Sequence, residues 1–167
     1  MALSYIAASA TPTLVAVAKT RVFIGTTATS PTADTFTEVG GVLEIPSFGP
    51  SETPIKVQTV GQDLEVTLKG VTTLGGGTLK CVDDIADAGQ LALAAAQQVK
   101  TGNYNLRIIF PNGPTGNPTD PSVSHGTIKD IKVVVLGAQE ILGGPNNPIH
   151  REFVLGFNSL PTTTAAV

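Results

Sequence analysis

At 167 residues the chain fits one domain and can bury a hydrophobic core without disulfides or metal. Only 14% of its residues are charged against 41% hydrophobic, below the roughly 25% charge of ordinary domains, and the net charge is −3. One cysteine, no tryptophan and no run of Lys or Arg exclude a disulfide scaffold, a cysteine-rich zinc site and a protein built to grip nucleic acid.

Such low charge fits either a soluble β-domain with a Thr/Ser/Asn/Gln surface or a subunit that buries much of its surface against copies of itself. Gly and Pro together make 30 of the 167 residues, which suits many turns between short strands. The acids are unevenly placed. Asp34, Glu38, Glu44, Glu52, Asp63 and Glu65 face a single base, Lys56, within 34–65, so the remainder is slightly basic. Met1-Ala-Leu-Ser-Tyr-Ile lacks the basic start of a secretory signal, and no apolar run approaches the roughly 18 residues of a spanning helix. The expectation is a protein made and folded in a cytoplasm, with no membrane binding.

In chain order, residues 1–12 have no periodicity and read as an arm. A long strand is expected over 14–25, with Leu14, Ala16, Ala18, Val22 and Ile24 on one face and Lys19 and Arg21 on the other. A Thr/Ser/Pro loop follows, then a strand over 39–45 in which Gly40-Gly41 suggests a bulge or bend. Past the turn-rich Glu44–Glu52 come strands at 55–59 and 63–70. The cleanest alternation of the chain lies in the second: Leu64, Val66 and Leu68 on a core face, Asp63, Glu65, Thr67 and Lys69 on a wet one.

Gly75-Gly-Gly77 turns into the strand 78–81, where Cys81 reads as a small buried thiol. One helix is expected over about 87–100. Asp87 caps it, Gln90 stands in the capping-box position, and Gly102 lies past the last turn. Leu91, Ala92, Ala95 and Val99 form an apolar stripe, while Leu93 points the other way. A helix apolar nearly all round needs cover nearly all round, so Leu93, Ala94 and Gln97 are candidates for contact between subunits. The strand 104–110 follows, then a Pro/Gly/Asn loop over 111–124 and a strand over 127–136 with a bulge expected at Lys129-Asp130. In the last strand, 151–157, Phe153, Leu155 and Phe157 share a core face. Residues 159–167, uncharged, read as a flexible arm.

No arrangement for chemistry emerges. There is no G-x-S-x-G elbow, no phosphate-binding glycine pattern and no H-x-x-x-H pair; His125 and His150 read as loop or surface histidines. Neither catalytic, cofactor-binding nor metal-binding residues are assigned, and no cofactor is expected. The chain does not read as an enzyme.

The order of elements from Glu38 to Phe110, short strands around a Gly-rich turn, one Ala-rich helix and a closing strand, resembles the tail tube proteins of long-tailed bacteriophages. Continued through the last strand before Pro161, the resemblance covers most of the chain. It implies a mainly β fold, a β-sandwich or half-barrel of antiparallel strands with one flanking helix. A single domain would span 1–167, with 1–12 and 159–167 as assembly arms. It also implies a virion protein of a tail, non-contractile by its Thr/Ala-rich end, forming stacked hexameric rings as a passive conduit for DNA. Partners would be further copies and tail proteins such as the tape measure, tail tip and terminator, with DNA as transient, non-specific cargo. On that architecture Asp63, Glu65, Thr67 and Lys69 are candidates to line the channel. The alternatives are an inner tube of a contractile tail or secretion system, and a monomeric β-sandwich binding module, for which the lack of Trp and the presence of only two Tyr supply few aromatic platforms.

Overall fold

The computed structural model describes residues 17–58, 60, 64–113 and 125–167. Asp63, the arm 1–12, Leu14, Ala16 and most of the loop 111–124 lie outside the described residues.

The described residues form ten strands and one α-helix. In order these are β1 (Arg21–Ile24), β2 (Thr37–Val39), β3 (Val42–Glu44), β4 (Ser51–Val57), β5 (Val66–Thr73), β6 (Gly76–Val82), α1 (Ala88–Gln98), β7 (Tyr104–Ile109), β8 (Ile128–Ile141), β9 (His150–Phe157) and β10 (Thr162–Thr164). Eight strands form one antiparallel sheet in the order β2-β1-β7-β8-β9-β6-β3, with β10 also paired to β8; β4 and β5 make a separate two-stranded sheet.

The first strand is shorter than its sequence pattern suggests. Lys19 adopts a left-handed backbone, φ +68°, inside a turn closed from the Thr20 N–H to the Val17 carbonyl, so pairing begins only at Arg21. The face assignment holds beyond that point: Val22 and Ile24 enter the main core. The stretch read as one strand over 39–45 is two strands. Gly41, at φ +66°, breaks it, and the halves pair at opposite ends of the sheet, β2 on β1 and β3 on β6.

That break defines the architecture. The two ends of the sheet, at Val39 and Val42, are joined by Gly40 and Gly41 alone and so lie at most about 11 Å apart. The sheet therefore curls into a half-barrel, and α1 bolts its seam. Asp87 caps the helix by accepting from the Gln90 N–H at 2.7 Å, and its other oxygen accepts from the Gly40 N–H at 3.1 Å. The fully buried Gln90 side chain does not close a capping box. Its amide donates to the Val82 carbonyl (2.8 Å) and the Gly40 carbonyl (3.1 Å), tying helix to both sides of the seam. Gly89 packs so close that a Cβ there would meet the Glu38 carbonyl oxygen at 2.1 Å.

The main core fills the half-barrel with Leu79, Cys81, Leu106, Ile108, Ile131, Val133, Phe153, Leu155 and Phe157, as expected for the last strand. Burial pushes the Cys81 thiol up to about 12, with the nearby Asp87 charge adding to the effect, so it stays protonated. A second, smaller cluster of Phe23, Phe36, Ile109 and Ile128 lies on the outer face of β1, β7 and β8. The bulge expected at Lys129-Asp130 is absent. Asp130 sits on the outer face of the sheet, paired with the buried Arg107, which breaks the apolar alternation without breaking register; the register shift falls at Val135–Gly137. His125, expected as a loop or surface histidine, lies in the loop before β8 and is fully buried, its Nδ1 2.7 Å from the Gly126 carbonyl. The end of the chain is not free: β10 pairs with Asp130–Ile128, and Val167 exchanges backbone hydrogen bonds with His125.

Candidate assembly surfaces

Among the described residues the hairpin β4–β5 is joined to no other strand. Its pairs Ile55↔Leu68 and Val57↔Val66 set four aliphatic side chains on one face. Each of the four is 40–52% exposed. The alternation read from the sequence is present; the burial inferred from it is not. Leu64, Val66 and Leu68 are exposed, because among the described residues no layer covers the ribbon. Thr67 and Lys69 lie on the opposite face, paired with Lys56 and Pro54. Salt bridges Lys56–Glu65 (2.7 Å) and Lys69–Glu52 (3.2 Å) pair every described charge of that face.

The helix presents a surface with the reverse sense to the expected one. Leu93 is completely buried in the core of its own subunit with Gln90 and Ala96, so it cannot meet another copy as predicted. Of the apolar stripe Leu91, Ala92, Ala95 and Val99 read from the sequence, Leu91, Ala95 and Val99 face outward, and only Ala92 is partly buried against the core. Ala94 is half-buried against the core, and Gln97 is exposed. Hydrophobic periodicity finds two apolar faces on such a helix and cannot rank them; the Ala-rich outer stripe was as plausible a core as Leu93. The physical signal for the inner face was Gln90, the polar residue whose amide the seam carbonyls need.

Beside α1 runs a groove of about 380 Å³, between Ala92, Ala95 and Val99 on one side and Thr26, Thr37 and Tyr104 on the other. No charged residue lines it. Its outer wall is braced by Asp34. Burial pulls the Asp34 carboxyl up, but hydrogen bonds from Thr26, Asn105 and Thr35 outweigh that and hold it below the usual carboxylate range. Near the sheet end, the Glu38 carboxyl is lowered by its hydrogen bonds to Arg21.

Among the described residues no group of three or more His, Cys, Asp or Glu could hold a metal, and no helix is long and apolar enough to cross a membrane.

No family model matches the sequence, and no curated protein matches it. The fold, however, is shared with phage-tail and contractile-injection components. A chain of the six-fold-symmetrised baseplate of the anti-feeding prophage superposes with a TM-score of 0.66 at 10% identity, covering 92% of this chain and 97% of that one. A chain from the sheath/tube terminator of an extracellular contractile injection system in its extended state gives 0.62 at 11% identity, over 93% and 100%. The SPP1 tail tube gives 0.57 at 10% identity, over 87% and 78%. The mainly β half-barrel with a single helix is therefore a tail-tube fold, as the sequence resemblance implied.

Proposed function

We propose that this protein is a structural, non-enzymatic subunit of a phage tail or tail-like particle, one that associates with copies of itself into stacked rings around an open channel. The observation that carries this reading is the tail-tube fold over nearly the whole chain, on a subunit whose β4–β5 ribbon exposes Ile55, Val57, Val66 and Leu68 with no cover from the described residues. A monomer in water gains nothing from exposing that many aliphatic side chains, whereas a subunit of an assembly needs them. Hexameric rings are the arrangement the resemblance implies, and DNA is the cargo it implies.

In that assembly Asp63, Glu65, Thr67 and Lys69 are proposed to face the channel. The support is chemical: the described charges of this face are paired, so no free cation is offered to a passing phosphate. A passive conduit requires such a wall. Particle location and the other tail proteins as partners follow from the same reading.

A second reading within the same architecture is a protein that caps a tube instead of building its length. The match that spans the full length of a chain from a sheath/tube terminator favours it. Purified protein imaged by negative stain, with its mass measured by light scattering, separates the outcomes. Long hollow tubes support the building subunit, and single rings the cap. A monodisperse monomer at high concentration counts against both.

A further inference from the structure

We infer that Asn112 is a self-modification site, deamidated by the backbone nitrogen of Gly113, and that the hydrogen-bond clasp between Asn112 and Thr127 gates the reaction. The chemistry needs only this chain and water, whatever assembly the chain enters.

Asn112–Gly113 is the only Asn-Gly step in the sequence. Glycine has no Cβ, so its nitrogen approaches the preceding side-chain amide more freely than that of any other residue. Asn117 and Asn147 precede prolines, whose nitrogen has no hydrogen to give up. Asn105 is fully buried, its amide nitrogen fixed on the Asp34 carboxylate and the Ala28 carbonyl. Asn112 is exposed, so water and hydroxide reach it.

The Gly113 nitrogen loses its proton and bonds to Cγ of Asn112. The Cγ–Nδ2 bond breaks, and the amide leaves as ammonia. Water then opens the cyclic imide at either carbonyl. Attack at Cγ leaves aspartate; attack at the main-chain carbonyl carbon leaves isoaspartate, whose main chain runs through Cβ and Cγ and is longer by a carbon. Nothing is oxidised or reduced, and either product gains a negative charge.

The folded chain holds this attack off. The Thr127 N–H donates to Oδ1 of Asn112 at 2.7 Å, and Nδ2 of Asn112 donates to the Thr127 hydroxyl at 2.8 Å. With the Phe110 N–H on the Thr127 carbonyl at 3.0 Å, these bonds carry the β7–β8 ladder past its last strand pair. The amide is fixed at both ends, so its rotation toward the Gly113 nitrogen waits for local opening. The backbones beneath are tightly packed: a Cβ on Gly113 would lie 2.3 Å from the Gly126 nitrogen, and one on Gly126 1.7 Å from the Phe110 carbonyl oxygen. Aspartate at this position keeps the clasp, because its carboxylate accepts from the Thr127 N–H and hydroxyl alike. Isoaspartate does not, because the added carbon displaces Gly113 from Gly126 and the opened loop base cannot reclose in register.

Peptide mapping by mass spectrometry of the full chain, incubated at mildly alkaline pH, follows conversion at Asn112. Slow conversion in the folded protein and much faster conversion in urea are expected. Thr127→Val removes the hydroxyl that holds Nδ2 and should speed conversion roughly fivefold, the effect of one net hydrogen bond on the opening equilibrium. Thr127→Ser keeps the hydroxyl and should keep the parent rate. Aged protein enriched in isoaspartate should melt below the parent, while freshly purified Asn112→Asp melts with it. No conversion at Asn112 in urea overturns the site. Equal rates in folded and urea-treated parent overturn the gate without any variant, as does a rise in Thr127→Ser equal to that in Thr127→Val.

Discussion

Arg107 and Asp130 face each other across β7 and β8 and form a bidentate ion pair, Nε to Oδ1 at 2.7 Å and Nη2 to Oδ2 at 3.0 Å. Both side chains are removed from water, and the guanidinium lies 4.1 Å from the centroid of the Phe36 ring. The pair pins the smaller outer cluster to the sheet. Asp130→Ala leaves a buried guanidinium without its partner, an arrangement that costs about 3–5 kcal/mol. The double change Arg107→Leu/Asp130→Leu removes both charges, so its loss is expected to be smaller than that of Asp130→Ala. Urea unfolding of the three proteins checks the order; a loss under about 1 kcal/mol for Asp130→Ala would mean that water reaches the pair.

The two leucines of the helix make a sharper contrast. Leu93 is wholly buried and Leu91 half-exposed. Leu93→Glu is expected to abolish folding or cost upwards of about 3 kcal/mol, because it places a charge in the core. Leu91→Glu should move stability by no more than about 0.5 kcal/mol. Thermal melts of the two variants decide the matter, and equal effects would contradict the helix orientation.

Why the sequence misled here is instructive. Elements with one clear partner layer were legible: β9 from Phe153, Leu155 and Phe157, β7 from its apolar run, the helix start from Asp87. Period-2 alternation in 64–68 correctly sorted side chains into two faces. It carried no information on what covered them, and the apolar face lies open. The seam at Gly40-Gly41 was equally hidden, since a glycine pair marks a bulge and a strand break alike. The buried Asp130 disguised itself as a bulge because its partner Arg107 lies in another strand.

Asp34 predicts an acid-sensitive edge to the fold. Its carboxylate accepts from the Thr26 backbone and hydroxyl, the Thr35 N–H and the Asn105 amide, which lowers its pKa in the folded state. A lowered folded-state value contributes stability above the unfolded carboxylate pKa, about 4, and that contribution is lost as pH falls through the folded value. Glu38, also lowered, acts with the same sign. Asp34→Asn should therefore reduce stability near neutrality and flatten its decline below about pH 4. Urea midpoints measured across the acid range read this out; parallel curves for parent and variant would exclude it.

The end of the chain is expected to be a folding element. Thr162–Thr164 pair with β8, the Lys129 ammonium donates to the Thr163 hydroxyl, and Val167 closes on His125. Truncation after Leu160 strips these bonds from β8 and opens a sheet edge. At about 1 kcal/mol per net hydrogen bond the loss is on the order of a few kcal/mol. Melting of the truncated protein measures it. An unchanged melting temperature with impaired assembly would return the segment to the role of a free arm.

The polar face of the β4–β5 hairpin gives the last prediction, and it tests the proposed conduit. Lys56 and Lys69 are each neutralised by a carboxylate of the neighbouring strand, Glu65 and Glu52. These exposed pairs contribute little to stability, on the order of 0–1 kcal/mol each. Their value in a channel would be to mask cations. Glu52→Gln and Glu65→Gln together keep the shape and hydrogen-bonding length of both side chains while freeing two lysines per subunit. Repeated around a ring, those lysines make a basic wall, and a wall of unpaired cations holds phosphate with an affinity that falls steeply as salt rises. The expected outcome is normal melting and normal tubes that retain DNA at low ionic strength and release it as salt is added, where parent tubes retain none. Retention on filters across a salt series provides the measurement. If the variant tubes hold no more DNA than the parent at low salt, this face does not line the channel. If parent tubes themselves bind DNA tightly, the passive conduit fails with it.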